Sequence, residues 1–239
     1  DLEDERLQTT LTLVHARFST NTLGAWHLAH PYRRIIHNGE INTIRGNINW
    51  MRARENQLAH EDFGDDIETL KPVTEAGQSD TASVDNAIEL LMHSDRDLPH
   101  ILRMLIPEAH ENDDSMDPDR QDFYDYHASL VEPWDGPALV AATDGDKIAA
   151  VLDRNGLRPC RYDITEDNQL IAASEVGAIE TDPSEIKERG RLQPGEIFVA
   201  DPEEGEVIPD AAVFDELTDD KYGEWVDEPQ QELDEIAGD

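Results

Sequence analysis

Cysteine is almost missing: Cys160 is the only one in 239 residues. One thiol excludes an internal disulfide and a thiolate metal cage within the chain, and such sparing use fits a reducing cytoplasm, where the protein is expected. Basic residues are scarce too. Nineteen Lys and Arg face 55 Asp and Glu, a formal charge of −36, and a polyanion of that size repels phosphate backbones and anionic bilayers. Neither nucleic acid nor a membrane is expected as a partner. Long apolar runs are lacking: stretches such as Ala138–Ala142 and Ile148–Leu152 fall far short of the ~18 residues of a spanning helix. No basic stretch followed by an apolar core marks a secretory signal, and no Gly-rich phosphate loop precedes a helical pattern.

What is present is a foldable chain. Hydrophobic residues make up 38% and recur in short periodic stretches, which places the acidity on a solvated surface instead of in a disordered chain. Because salt screens such self-repulsion, a salt-loaded cytoplasm of the halophilic kind is the expected setting. Leu11–His60 departs from this background: its only acids are Glu40 and Glu55, against Arg17, Arg33, Arg34, Arg45, Arg52 and Arg54. A field that positive is where an anionic ligand would sit.

Alternation predicts strands over Leu11–Phe18 and Arg34–His37. Ile44, Ile48 and Met51 then give a helical stripe, so the chain runs strand, Asn-Gly, helix. Val84, Ala87, Ile88, Leu91 and Met92 predict a helix that Ser79 or Asp80 could cap. Pro99 and Pro118 suit the first turns of two more helices, the second reaching Leu130. From Pro137 the texture turns to strands over Ala138–Thr143, Lys147–Leu152, Pro159–Ile164, Gln169–Ser174 and Glu196–Ala200, with Asp144-Gly145 as a hairpin turn. Hairpins around a helical block imply antiparallel sheets in an α+β arrangement. Residues 201–239 hold 16 acids against Lys221 alone, and 210–239 reads as an acidic linker.

Three constellations could carry chemistry. In Val14-His15-Ala16-Arg17-Phe18-Ser19-Thr20-Asn21-Thr22 an Arg beside hydroxyl and amide side chains suits a carboxylate; a surface ion pair followed by a Ser/Thr turn accounts for these residues better when taken alone, and the local positive charge narrows that gap. In His37-Asn38-Gly39-Glu40 an amide and a bare backbone N–H ahead of a helix could serve an oxyanion, or form a plain turn. In Gly77-Gln78-Ser79-Asp80-Thr81 the carboxylate could meet an ammonium group or cap a helix. Asp113, Ser115, Asp117 and Asp119 mimic a calcium loop, but Pro118 stands where Gly is needed. His15, His27, His30 and His37 form no i, i+4 pair, so no metal site is predicted. Cys160, between Pro159 and Arg161, reads as a small buried hydrophobe more readily than as a nucleophile.

Together the strings VHARFSTNT (14–22), HNGEINT (37–43), GQSDTASVDNAIELL (77–91), LIPEA (105–109), EPWDGPA (132–138), LDRNGLRP (152–159), ASEVGAI (173–179), GRLQPGEIF (190–198) and KYGEWV (221–226) resemble the class-II glutamine amidotransferase portion of the glutamate synthase large subunits. The resemblance implies a four-layer αββα sandwich of the N-terminal-nucleophile hydrolase kind, with residues 1–209 as a partial amidotransferase domain incomplete at its N-terminus. It implies that an N-terminal cysteine attacks the glutamine amide with its own α-amino group as base, releasing ammonia for transfer to 2-oxoglutarate. Asn38 and Gly39 would form the oxyanion hole, Arg17 would hold the substrate α-carboxylate with Thr20 beside it, Asp80 the α-ammonium, and Phe18 would shape the pocket. FMN, an iron–sulfur cluster and an electron donor, either ferredoxin or a reduced nicotinamide, are implied only for a full-length parent with further synthase domains. Because the chain starts at Asp1 without that cysteine, it is expected to be a fragment unable to form the thioester, or else a noncatalytic glutamine-binding or regulatory module.

Overall fold

The computed structural model describes residues 4–20, 23–219 and 221–227. Asn21 and Thr22, the end of the first motif, and the acidic tail 228–239 lie outside them. Two antiparallel sheets carry the fold. The larger has the order β1-β2-β3-β7-β8, formed by Ile35–Gly39, Ala138–Thr143, Ile148–Leu152, Ile197–Asp201 and Glu206–Pro209. The smaller places β4 (Arg161–Thr165) between β5 (Leu170–Ala173) and β6 (Ile186–Arg191). The helices are α1 (Ile44–Arg54), α2 (Asp80–Leu91), α3 (Leu98–Leu105), α4 (Pro118–Leu130), α5 (Asp210–Leu217) and α6 (Lys221–Asp227).

Sequence chemistry sets these boundaries. The Ser79 side chain caps α2 by accepting the Ala82 N–H, Asp97 and Asp117 cap α3 and α4, and proline stands in the first turn of both. Asp144 and Gly145, the latter at φ +112°, turn β2 into β3. The main core lies between the helices and the first sheet, where Ile35, Val84, Ile88, Leu98, Ile101, Leu102, Leu105, Val140 and Val151 are fully buried. Each such side chain contributes about 1.5–3 kcal/mol by leaving water. A second core of Leu139, Leu152, Cys160, Leu192 and Phe198 joins the two sheets. The layers therefore run helix, sheet, sheet, an α+β fold with antiparallel sheets as expected. The outer helical layer of a four-layer sandwich is not among the described elements.

Two strands and two helices had no clear signal. β6, Ile-Lys-Glu-Arg-Gly-Arg, is too charged to show alternation; Arg189 pairs with Asp163 across the ladder at 2.7 and 3.0 Å. β8 is a short partner of β7. α5 and α6 fall in the stretch read as a linker, yet α5 buries Val213, Phe214 and Leu217. The Arg120 guanidinium lies 3.7 Å from the Phe214 ring centre and pairs with Asp210 at 2.8 Å, so acidic residues frame an apolar stripe there.

The strand predicted over Leu11–Phe18 is not formed. Alternation yields a strand only where a neighbour supplies ladder partners, and at this end of β1 side chains take backbone groups instead. Asp85 of α2 accepts the N–H groups of Arg33 (3.3 Å), Arg34 (2.8 Å) and Ile35 (3.1 Å), and the His15 ring takes the His37 carbonyl at 3.0 Å. Residues 11–18 run beside β1 as an unladdered strap.

Candidate functional site

The chain ends β1 in a way that only glycine permits. Gly39 has φ +139°, and a Cβ there would overlap the Pro137 carbonyl. Gly136 is packed as closely against the Glu40 carbonyl. Asn42 and Thr43 donate their N–H groups to the Asp135 carbonyl at 2.7 and 3.2 Å. The EPWDGPA string is thus the backing that holds the turn after β1.

Asp80 reaches that turn from the other side. One carboxylate oxygen accepts the Ile41 N–H at 2.7 Å, the other its own helix's Thr81 N–H at 2.9 Å. Ser79, not Asp80, is the helix cap. Thr81 then meets the ring of His37, Oγ1 to Nε2 at 3.0 Å. The strap closes the group: His15 Nε2 holds the His37 carbonyl, the Arg17 N–H lies 3.2 Å from His15 Nδ1, and the Phe18 carbonyl accepts the His30 N–H at 2.9 Å.

Segments 15–18, 37–41 and 79–81 thereby meet around one strand end. Arg17 is exposed and forms no ion pair among the described residues. Asn38 is half-buried, and its side-chain amide has no hydrogen-bond partner among the described residues. Phe18, 46% exposed, meets the Trp26 ring edge-on at 5.4 Å, and Thr20 is half-buried. Strand alternation sends His37 toward α2 and Asn38 to the opposite face. A cavity of about 700 Å³ elsewhere, between the β4–β5 edge and residues 175–183, includes none of these groups.

Asp85 and the meeting of the histidines at this place escaped the sequence reading. Asp85 is 4% exposed; burial holds its carboxyl above the usual carboxylate range, opposed by the three N–H bonds it accepts. His37 and His30 are pushed down to about 3 and about 4, foremost by burial and then by neighbouring positive groups. Their signal was a density of histidines from distant stretches, which spacing alone does not join. Cys160 is 2% exposed and burial pushes its thiol up to about 12, which matches the small buried hydrophobe read from the sequence.

Other motif strings are structural. Asp153 of LDRNGLRP accepts the N–H groups of Ala138 (3.0 Å), Asn155 (3.0 Å) and Leu157 (3.3 Å). Glu108 of LIPEA joins Arg120 and Tyr124 beside the fully buried Arg103, whose guanidinium reaches the Tyr124 hydroxyl at 2.6 Å and the Gly195 carbonyl at 2.8 Å.

The chain is similar along most of its length to known proteins of one kind. The chain is 47% identical over 229 residues to the glutamate synthase [NADPH] large chain of Bacillus subtilis, covering 95% of this chain and 15% of that one. It is 48% identical over 209 residues to the glutamate synthase [NADH] of Saccharomyces cerevisiae, covering 87% and 10%. It is 43% identical over 237 residues to the ferredoxin-dependent glutamate synthase 2 of Arabidopsis thaliana, covering 98% and 14%. The chain spans only a tenth to a sixth of these relatives. The family described as glutamine amidotransferases class-II matches residues 1–225, and the chain belongs to that family.

Proposed function

We propose that the chain is the glutaminase portion of a glutamate synthase, with residues beyond α6 leading toward further synthase domains. Glutamine would lie at the end of β1, its α-carboxylate on Arg17 with Thr20 nearby, its α-ammonium on Asp80, and Phe18 against its stem. The Asn38 amide and the Gly39 N–H would receive the oxyanion that forms when a cysteine thiolate attacks the side-chain carbonyl. Collapse of that intermediate expels ammonia and leaves a thioester, which water converts to glutamate and free thiol. The only cysteine here is buried, so the nucleophile must come from outside these 239 residues.

One observation carries the reading. Asp80 is fastened to the turn that follows Gly39, and the amide of Asn38, one residue before that glycine, has no partner among the described residues. An unspent donor on the strand end to which a carboxylate is fastened suits a small zwitterion. The chain alone is expected to bind glutamine without turning it over, which the reading as a binding module shares; the two separate in the intact parent. There Asn38→Ala should lower kcat by about 10²–10³-fold with KM little changed. An unchanged kcat removes the oxyanion assignment. In the chain alone, Arg17→Ala should abolish glutamine binding by calorimetry, and undiminished affinity removes the carboxylate assignment.

FMN and the iron–sulfur cluster belong, in this proposal, to other parts of the parent. A cluster needs several thiolates, and one buried cysteine does not fit it. No step here runs through either group. Ammonia would pass to 2-oxoglutarate on those domains, with ferredoxin or a reduced nicotinamide as donor. A cytoplasmic setting is proposed on the unpaired-thiol chemistry; among the described residues no helix is long and apolar enough to cross a membrane.

A further inference from the structure

Three of the four clustered histidines come from separate segments and meet in space. His15 lies on the strap, His30 after the turn at Trp26–Leu28, and His37 on β1. One potential ligand nitrogen from each lies within 4.8 Å of the other two. The ring centres are 4.1 Å apart for His15 and His30, 4.9 Å for His30 and His37, and 5.2 Å for His15 and His37. We propose that His15, His30 and His37 form a binding site for one borderline transition-metal cation, with Zn²⁺ as the reference ion.

The free valences are in the right places. Both ring nitrogens of His30 and Nδ1 of His37 are buried with no hydrogen-bond partner, a state that ordinarily costs free energy and calls for an explanation. The nitrogens that do have partners hold the rings as metal-binding histidines are held: His37 Nε2 faces Thr81 Oγ1 at 3.0 Å, and His15 Nε2 faces the His37 carbonyl at 3.0 Å. That leaves Nδ1 of His15, which lies 2.8 Å from the Arg17 carbonyl and 3.2 Å from the Arg17 N–H, contacts within its own strap that a bound ion would have to replace.

Tetrahedral Zn–N bonds of 2.0–2.1 Å require nitrogens about 3.4 Å apart. Nitrogens within 4.8 Å of one another must close by up to about 1.4 Å to reach that spacing, and the strap has no ladder to resist the movement. Three imidazoles select Zn²⁺, Co²⁺, Ni²⁺ or Cu²⁺ over Mg²⁺ and Ca²⁺, which prefer oxygen. Arg17 opposes a cation locally, whereas the −36 of the whole chain favours its approach. A bound ion would clasp the strap to β1 and leave a fourth position for water. The spacing rule that argued against a metal looked for helical neighbours, and this triad is assembled from three unconnected stretches.

The test is a Zn²⁺ titration of the 239-residue chain in molar KCl and excess Mg²⁺, which fill the surface carboxylates. We expect one ion per chain by calorimetry, a tetrahedral Co²⁺ visible spectrum, and a raised Tm on adding Zn²⁺. His30→Gln and, on the exposed strap, His15→Gln should each cost more than the roughly 10–100-fold expected of Thr81→Ala, an outer partner. Circular dichroism verifies the fold of each variant, and His15→Gln decides the matter should His30→Gln unfold. Absent binding, displacement by Mg²⁺, or an affinity untouched by folded His15→Gln overturns the site. The readouts involve no glutamine, so failure here is distinct from failure of the amidotransferase reading.

Discussion

The two arms of the site are held in opposite ways. The arm carrying Asn38, Gly39 and Asp80 is fixed from three directions: the β2 ladder, the 135–137 backing and the α2 N-terminus. The arm carrying Arg17 rests on the His15 ring and one Phe18–His30 backbone bond. Such asymmetry would suit the proposed grip, in which the oxyanion side must not move and the carboxylate side must admit and release a ligand. Breaking the first arm should therefore cost stability, and breaking the second should cost affinity alone.

The largest effect is expected at Asp85. Asp85→Ala strands the buried N–H of Ile35 and the partly buried N–H groups of Arg33 and Arg34, so unfolding in urea should show a loss of about 3–5 kcal/mol, built from roughly 1–3 kcal/mol per orphaned group. Gly39→Ala comes next. The overlap with Pro137 and the positive φ should together cost about 2–4 kcal/mol, and glutamine affinity should fall with the displaced turn. A Gly39→Ala variant of full stability and affinity would show that the turn is looser than its packing implies.

Much of this frame was legible beforehand, and the reasons differ by element. β2, α4 and the Asn38-Gly39 turn were readable because each combines periodicity with a local stop signal, such as Asp117-Pro118 or Asp144-Gly145. The strap misled because alternation records which face is apolar and says nothing about whether an edge is free. The role of Asp85 and the meeting of the histidines were not legible because Asp85 lies 52 positions from Arg33 and His15 lies 15 and 22 positions from His30 and His37, and no local pattern encodes such pairing. α5 was masked by charge, since its burial depends on Arg120 and Phe214 meeting across the fold.

Acid should separate core from strap further. His100 and His127 face each other at 2.8 Å between Nε2 atoms, and His127 Nδ1 donates to the Phe123 carbonyl. His127 Nε2 therefore accepts from His100, and a further proton sets two N–H groups head-on. Both rings are pushed down, to about 3 for His100 and about 4 for His127, by burial first. With the unfolded value near 6.5, the unfolded chain takes up protons first as pH falls. Stability is complete above about 6.5 and is lost progressively toward 4 and 3. Urea midpoints should thus fall between pH 7 and 5, and His127→Gln should flatten that slope; an equal slope in the variant refutes the pair's part. Salt acts on the whole surface instead: as KCl rises from about 0.1 to 1 M the Debye length falls from about 10 to 3 Å, and Tm should climb. A Tm indifferent to KCl would dismiss the halophilic expectation.

The smallest effect lies on the strap and sharpens the comparison most. Ile35 of β1 is fully buried and Leu13 of the strap is half-exposed, although both occupy apolar positions of an alternating run. Ile35→Ala removes packed atoms and leaves a cavity, at a cost of about 2–5 kcal/mol. Leu13→Ala empties no closed space and breaks no ladder, so its cost should stay within about 0.5 kcal/mol, the range of surface changes. Equal losses at the two positions would mean that the strap is bonded as a strand in solution, and Arg17 would then stand on a rigid arm. With unequal losses, limited proteolysis should cut within residues 5–16 while 33–217 stays intact, and glutamine should slow that cut by drawing Arg17 down.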